Sequence, residues 1–163
     1  MARTTRAVTE ILAGILRSSE GLPKAIAERS RAENEHLEEI GEDRILAGNL
    51  PPAADLARLT HPAVRVYCDR VANEQREKFR RFSGWVRAVV EVWLSAETPH
   101  ELERRLQLYT EAVTDVLETN RGDWGQGIVY GGNYEIQYAA PKGGGRNYVQ
   151  SAKVLLRVEV SQP

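Results

Sequence analysis

Apolar residues near the N-terminus recur with the period of a helix. Across residues 4–18 they fall three and four positions apart, which predicts an amphipathic helix. Gly21 and Pro23 end this helix and open a second one over residues 24–40. That second segment is dense in charge, so we expect a solvated helix with a narrow contact face, or a helix that lies against a partner. The apolar stripe of the first helix consists of Val8, Ile11, Leu12, Ile15 and Leu16.

A linker follows the two helices. Gly41, Gly48, Pro51 and Pro52 break the helical pattern, so residues 41–60 are predicted to be mostly linker, with one helical turn near residues 53–59. We therefore divide the chain into N-terminal helices with a linker (residues 1–60) and an α+β core (residues 61–163). Together they form a single domain, as the length of 163 residues suggests.

The period changes to two in the second half of the chain. Residues 62–68 alternate as a half-buried strand does, and residues 85–95 carry the strongest strand pattern. In the latter segment one face is wholly apolar and the other is mixed, which indicates that the second face is partly covered. The apolar face holds Val86, Ala88, Val90, Val92 and Leu94, and the mixed face holds Trp85, Arg87, Val89, Glu91 and Trp93.

One more helix and two more strands complete the pattern. Thr98 with Glu101 three residues later is the spacing of a capping box, and an apolar stripe continues to Asn120. After a loop around Trp124, residues 128–138 and 153–160 are predicted to be strands. The stripe of the helix consists of Leu102, Leu106, Tyr109, Val113, Val116 and Leu117.

The order of these elements predicts an α+β fold. We expect a mostly antiparallel four-stranded sheet that is covered on one face by three helices. Two inter-strand connections, residues 69–81 and 139–147, are long beside the roughly 2–5 residues of an ordinary hairpin loop. Loops of this length commonly carry function or reach a partner.

Composition excludes several classes of protein. The 22 Lys and Arg against 23 Asp and Glu give a net charge of −1, which argues against a surface devoted to nucleic acid or to anionic membrane. The single cysteine, Cys68, rules out an internal disulfide and a multi-cysteine metal site, and it is expected to be a small apolar core residue. The apolar run at residues 11–16 is too short to span a membrane, so we expect a cytoplasmic protein.

No catalytic constellation emerges from the remaining residues. His61 and Cys68 are seven positions apart along one strand, which places them more than about 20 Å apart. Glu111 and Asp115 lie opposite an apolar stripe and are expected to be solvated. The glycine-rich segment is followed by a strand and not by a helix, so it is interpreted as a hairpin tip and not as a phosphate loop. We predict no enzyme activity and no catalytic, metal-binding or cofactor-binding residue.

A second cluster is basic. Four cations lie between two predicted strands, next to aromatic residues, as in some nucleic-acid-binding ribbons. Glu74 and Glu77 are interspersed among them, so a solvated or protein-binding arm is the preferred interpretation. The residues predicted to contact partners are Arg76, Lys78, Arg80, Arg81, Trp85, Trp93, Lys142, Gly143, Gly144, Gly145 and Arg146.

Taken in order, these elements resemble those of bacteriophage tail terminators, which are also called tail completion or neck proteins. An N-terminal helix and a linker lead to PAVRVY at residues 62–67 and, after a charged loop, to WVRAVVEVW at residues 85–93. The helix of residues 99–117 and the ending AKVLLRVEV at residues 152–160 have the same character. The resemblance covers most of the chain and is best from Pro62 onward.

The resemblance implies a structural virion protein in the neck of a tailed phage. Proteins of this family form a homohexameric ring on the tail tube, stop its polymerisation and present the other face to the head connector or adaptor. The implied partners are therefore further copies of the chain, the tail tube protein and the connector, with nucleic acid present only as DNA that passes through the ring. The implied location is the virion, or the host cytoplasm during assembly, and no membrane or cofactor is implied. We expect deletion of residues 143–146 to leave folding intact and to weaken assembly.

Three alternatives stay open. Another head–tail adaptor or a tube-forming protein would have much the same composition. A small nucleic-acid-binding module would use residues 76–81, and its affinity would fall steeply with salt. An enzyme with an unrecognised pocket would be stabilised by a small molecule.

Overall fold

Two long antiparallel strands form the centre of the protein. The computed structural model describes residues 2–48 and 61–163, with the side chains of residues 2, 3 and 144 excepted. The sheet has the order β1-β2-β3-β7-β5-β4, and the short strand β6 also pairs with β7. The strands are β1 (Ile45–Ala47), β2 (Ala63–Asn73), β3 (Phe82–Ala96), β4 (Gly122–Gly125), β5 (Ile128–Tyr138), β6 (Lys142–Gly144) and β7 (Asn147–Gln162).

The helices lie on one face of this sheet and on each other. α1 contacts β1, β2 and β3, α3 contacts β3, β5 and β7, and α2 packs against α3 and α1. The helices are α1 (Ala2–Arg17), α2 (Leu22–Ala32) and α3 (Pro99–Thr119).

The expected sheet was wrong in its strand number and pairing, although the α+β class fits broadly. The sheet has seven strands and is mixed and curled, because β1 runs parallel to β2 while the other pairings are antiparallel. The three additional strands, β1, β4 and β6, have three or four residues each. A period-two pattern needs at least four residues to be recognised, which excludes β1 and β6, and the four residues of β4 include two glycines and show no apolar alternation.

The second helix is shorter than predicted. α2 ends at Ala32, and Asn34 then adopts a left-handed backbone conformation (φ 49°). The Ser30 hydroxyl donates to the Glu35 carbonyl at 2.5 Å and so satisfies a group beyond the helix end. The chain continues without helix to residue 40, yet Leu37 and Ile40 are buried in the core. The apolar spacing of Leu37 and Ile40 thus predicted their burial correctly, whereas the helix that it also predicted there was wrong.

The predicted linker contains structure in its described part. A 3-10 turn at Glu42–Arg44 leads into β1, whose Ile45 carbonyl accepts two hydrogen bonds from the Arg17 guanidinium, at 2.9 and 2.5 Å. The helical turn predicted near residues 53–59 lies outside the described residues. β1 thus ties the end of α1 to the edge of the sheet.

The core between the helices and the sheet follows the predicted stripes. The apolar face of β3 is buried against α1 and α3, and the apolar stripe of α3 is buried as well. Thr98 caps α3, since its hydroxyl oxygen accepts the Glu101 amide at 3.2 Å, as predicted. These apolar contacts set the position of every strand that carries a candidate residue.

Candidate partner-contacting surfaces

The loop between β2 and β3 is a hydrogen-bonded hairpin, named here the basic hairpin (residues 74–81). Because β2 continues to Asn73, the loop is shorter than the predicted one over residues 69–81. At its base the Asn73 side-chain oxygen accepts the amides of Gln75 (3.3 Å) and Ser83 (3.1 Å). The Ser83 carbonyl accepts the Glu74 amide at 3.0 Å. These bonds hold the base of the hairpin in one conformation.

The tip of the basic hairpin presents an aromatic side chain to solvent. Phe79 has a relative exposure of 101 % and a left-handed backbone (φ 64°), which is an uncommon conformation for a bulky residue. Arg80 pairs with Glu77 at 3.4 Å. No ion pair is found for the side chains of Lys78 and Arg81 among the described residues. The tip therefore combines an apolar anchor with positive charge.

Two of the four predicted basic residues are neutralised within the chain. Arg76 pairs with Glu74 and, at 2.7 Å, with Glu159 of β7. Arg80 pairs with Glu77 as described above. An arm built for phosphates would keep its cations free, so this arrangement favours a protein-binding arm over a nucleic-acid-binding one.

The hairpin continues into the sheet face that α1 and α3 leave uncovered, named here the open face. Trp85 lies between two guanidinium groups, with Arg70 5.4 Å and Arg157 4.7 Å from the ring centre. Its indole N–H donates to Glu74 at 2.7 Å. Trp85 is thereby fixed to the base of the hairpin. The open face consists of the outward side chains of β2, β3, β5 and β7, among them Arg65, Tyr67, Arg70, Trp85, Arg87, Val89, Glu91, Trp93, Glu135, Lys153, Leu155, Arg157 and Glu159.

A buried carboxylate lies in the middle of the open face. Glu91 is 2 % exposed and accepts a hydrogen bond from the Tyr67 hydroxyl at 3.0 Å. Arg65 and Lys153 are its cross-strand neighbours on β2 and β7. Burial raises the pKa of Glu91, while Tyr67, Lys153 and Arg65 act to lower it. The Trp93 indole N–H, on the same face, is buried and makes no hydrogen bond within the described part of the chain.

The glycine-rich segment forms a second arm, named here the glycine arm (residues 142–149). β6 pairs with the first residues of β7 across a tight turn in which Gly145 is left-handed (φ 85°). The expected loop over residues 139–147 was therefore wrong in part, because it contains β6 and the start of β7. Tyr148 is 38 % exposed and lies over Gly143, where a Cβ would come 3.4 Å from its ring.

The two arms lie at opposite ends of the sheet. In the β3–β7 ladder, Phe82 beside the basic hairpin pairs with Gln162, and Ala96 at the other end pairs with Tyr148 of the glycine arm. Fourteen residue steps of about 3.3 Å separate these ends by roughly 45 Å. The predicted residues therefore form two groups: Arg76, Lys78, Arg80, Arg81 and Trp85 at one end, and Lys142, Gly143, Gly144, Gly145 and Arg146 at the other, with Trp93 on the strand between.

Other candidate residues have structural surroundings. Glu111 and Asp115 are not simply solvated, since both bind Arg29 of α2, at 3.0 and 2.7 Å. Cys68 is half-buried beside Thr9, with 3.4 Å between sulfur and hydroxyl oxygen, and burial raises the pKa of its thiol. A thiol with a raised pKa is a poor nucleophile at neutral pH. Burial also lowers the pKa of His61.

The cavities differ in the side chains that line them. One of about 430 Å³ has His36, His61, Glu97, Glu101 and Tyr109 in its lining. A cavity of about 860 Å³ lies between the basic hairpin and the end of β7, and Arg80 and Arg81 are the charged side chains in its lining. Within residues 2–48 and 61–163, no cluster of three or more histidine, cysteine or acidic side chains is arranged to hold a metal ion. In the same residues, no helix combines the length and the apolar character needed to cross a bilayer.

Sequence reasoning missed two features of these surfaces. The ion pairs of Arg29 and the Glu91 cluster depend on residues from different elements, and alternation alone does not reveal their partners.

Comparison with protein-family models and with curated proteins finds no match to this chain.

Proposed function

We propose that this chain is a tail terminator of a tailed phage, a structural subunit that forms a ring, caps the tail tube and joins it to the head connector. The observation that supports this most is the placement of two different arms at opposite ends of one sheet. A ring that is stacked between two partners needs a separate contact on each axial face. The basic hairpin would serve one face, and the glycine arm would serve the other.

The chemistry of the arms fits two different partners. The basic hairpin offers a fully exposed phenyl ring and the cations Lys78 and Arg81. The glycine arm offers Tyr148 on a narrow glycine backbone with Lys142 and Arg146. Aromatic and arginine side chains are the residue types that most often anchor protein interfaces. The hydrogen-bonded hairpin base reduces the ordering that binding would require.

The alternatives make different demands on the molecule. Another head–tail adaptor or a tube-forming protein would also need axial contacts, and only the identity of its partners separates it from a terminator. A nucleic-acid module is disfavoured by the internal pairing of Arg76 and Arg80. An enzyme would need convergent polar groups in a cavity. The cavity beside Arg80 has no histidine or carboxylate in its lining, whereas the cavity beside His61 has two histidines and three glutamates, so a small-molecule thermal-shift screen tests this alternative.

The first experiment is the mass of the purified protein by light scattering, with negative-stain imaging of the same sample. A ring of six copies of 18.3 kDa has a mass of about 110 kDa. Rings alone, or rings that close only on a phage tail tube protein, support the proposal. A two-fold dimer that persists at every concentration, with and without tube protein, contradicts it.

Variants of the two arms then test the assignment of faces. Phe79→Ser is expected to abolish binding to one partner, tube or connector, and Tyr148→Ser to abolish binding to the other. Rings should persist in both variants, and the matched controls Phe79→Tyr and Tyr148→Phe should bind both partners. Loss of the same partner in both variants, or of neither, would contradict the use of opposite ends.

A further inference from the structure

Among residues 2–48 and 61–163, two strands of the sheet are paired along only part of their outer side. β1 pairs with the outer side of β2 only as far as Val66, and β4 pairs with the outer side of β5 only as far as Tyr130. Beyond those points no described strand pairs with residues 67–73, named here the β2 edge, or with residues 131–138, named here the β5 edge. Unpaired strand edges are templates for pairing with another chain.

We propose that the β5 edge of one copy pairs with the β2 edge of the next, so that the sheet continues from subunit to subunit around the ring. This inference rests on the self-association contained in the proposed function. It assigns the lateral contact, whereas the two arms serve the axial ones. The two edges differ, so the contact is heterologous, and repeated heterologous contacts close into a ring when the rotation between copies permits.

Strand direction fits this pairing. β2, β3, β7 and β5 are neighbours in that order, and each is antiparallel to the next. The two outer strands therefore run in opposite directions. A rotation about an axis parallel to the strands preserves direction, so it brings β5 antiparallel to the next copy's β2. The same axis would direct the two arms towards the two axial faces.

The side chains on the helix side of both edges are apolar and incompletely covered. Tyr134 and Tyr138 are 46 % and 47 % exposed, although their cross-strand partners on β7 are core residues. Val71 on the β2 edge is half-buried beside Val86. Pairing would bring these side chains together as cross-strand neighbours and would extend the core across the subunit boundary. In the monomer about half of each tyrosine side chain is exposed to water, although the Tyr138 hydroxyl hydrogen-bonds to that of Thr110 in α3 at 3.0 Å.

On the open-face side the β2 edge carries two charged residues, Asp69 and Arg70. Asp69 is paired within the chain with Arg87 at 2.7 Å, so Arg70 is the residue of this edge whose charge can complement Glu135 of the β5 edge. Arg70 lies on the β2 edge, opposite Arg87 of β3. Glu135 lies on the β5 edge, opposite Leu155 of β7. Their approach in a paired sheet would add a charge contact to the backbone hydrogen bonds. Like charges at these positions would instead have opposed the pairing.

Backbone hydrogen bonding indicates which amides are available. Ala139 donates its amide to the Ser151 carbonyl of β7 at 3.0 Å. Because amides alternate in direction along a strand, those of Gln137 and Glu135 also point towards β7. The amides of Tyr134, Ile136 and Tyr138 therefore point outward. On β2, Glu74 donates inward to Ser83 at 3.0 Å, which leaves the amides of Val71 and Asn73 outward.

The short strands limit how far the two edges can slide. β1 lies beside the end of β2 near the glycine arm, since Val64 pairs with Val92 in β3. β4 lies beside the end of β5 near the basic hairpin, since Ile128 pairs with Val160. The covered stretches are thus at diagonally opposite corners. Strands in a curved sheet are tilted, so a neighbouring subunit is displaced along the strand direction. β1 and β4 would limit that displacement.

Residue-resolved hydrogen exchange of assembled and dissociated protein tests this inference. The amides of Val71, Asn73, Tyr134, Ile136 and Tyr138 should exchange about tenfold or more slowly in the ring than in the monomer. The amides of Glu135 and Gln137, which point inward, should be protected in both. Rings whose outward amides stay unprotected overturn the edge pairing and leave the proposed terminator function standing. If rings form without tube protein, protection that appears only after tube protein is added also overturns it, because a strand of another protein then occupies the edge.

A proline variant provides the second test. Ile136→Pro removes an outward amide to which β7 contributes no acceptor, so the fold should persist by circular dichroism while the assembly falls to the mass of a monomer. Ile136→Val keeps the amide and should form rings. Rings of unchanged mass from a folded Ile136→Pro protein overturn the inference. Should this variant unfold, hydrogen exchange of the unaltered chain decides the question.

Discussion

The two faces of the central sheet differ in how their side chains are covered, since one is enclosed by helices and the other is only partly buried. On the helix-covered face, side chains such as Val86, Val90 and Leu156 are fully enclosed by apolar groups of α1 and α3. On the open face, Glu91 and Val89 are enclosed mainly by neighbouring side chains of the same sheet. Alternation along one strand, β3, thus supplies both a conventional core and a charged surface layer.

The two faces therefore have different roles: one mainly stabilises the fold, and the other holds the basic hairpin in place. The helix-covered face carries most of the apolar burial and so most of the folding free energy. The open face contributes less, but it orders Trp85, Arg157 and Glu74, which connect directly to the basic hairpin. A substitution on the first face should therefore change unfolding, whereas one on the second should change how an arm is held.

The largest expected effect comes from a matched pair of leucines. Leu106→Ala, in α3 under the helix-covered face, should lower the free energy of unfolding by about 3 kcal/mol, because it leaves a closed cavity. Leu155→Ala, in the small apolar cluster of the open face, should lower it by about half as much, since side chains there can relax towards solvent. Urea unfolding of both variants measures the comparison. Equal losses would show that the open face is packed as tightly as the core.

A smaller effect is expected at Trp85. Trp85→Ala removes two cation–π contacts and a hydrogen bond at a half-buried site, and should destabilise the fold by about 1.5 kcal/mol. Trp85→Phe keeps an aromatic face for Arg70 and Arg157 and should lose about half of that. Thermal and urea unfolding measure both. If the two variants are equally destabilised, the indole hydrogen bond to Glu74 outweighs the cation–π contacts.

The smallest effect is expected at Glu91, where opposing influences partly cancel. Burial raises the pKa of Glu91 in the folded state above its unfolded value, so ionisation of this group disfavours folding. Below both pKa values Glu91 is protonated in the folded and in the unfolded state, and its contribution to stability is complete. That contribution is lost as the pH rises through the folded pKa. Glu91→Gln does not titrate, so its stability relative to the natural chain should increase across that interval. Urea unfolding from acid to neutral pH tests this, and a decrease would show that Arg65 and Lys153 outweigh burial.

The sequence predicted the long elements well and the short ones poorly. The stripes of α1 and α3 and the two faces of β3 were correct, because burial imposes a period that many residues share. β1, β4 and β6 were missed because three or four residues hold too little pattern, and their pairing is decided by distant strands. The second helix was predicted to continue beyond Ala32, where it in fact ends, because Leu37 and Ile40 are buried without being helical.

By itself, the sequence determined which residues are apolar at which spacing, and hence α1, α3, the long strands and the approximate positions of the two arms. Only the tertiary structure decided that these arms lie at opposite ends of the sheet, that Arg76 and Arg80 are paired within the chain, and that no described strand covers parts of β2 and β5. The physical reason is the distance along the sequence between the residues that interact. Periodicity reports the burial of neighbours along the chain, whereas strand order and ion pairing depend on residues that are far apart in sequence.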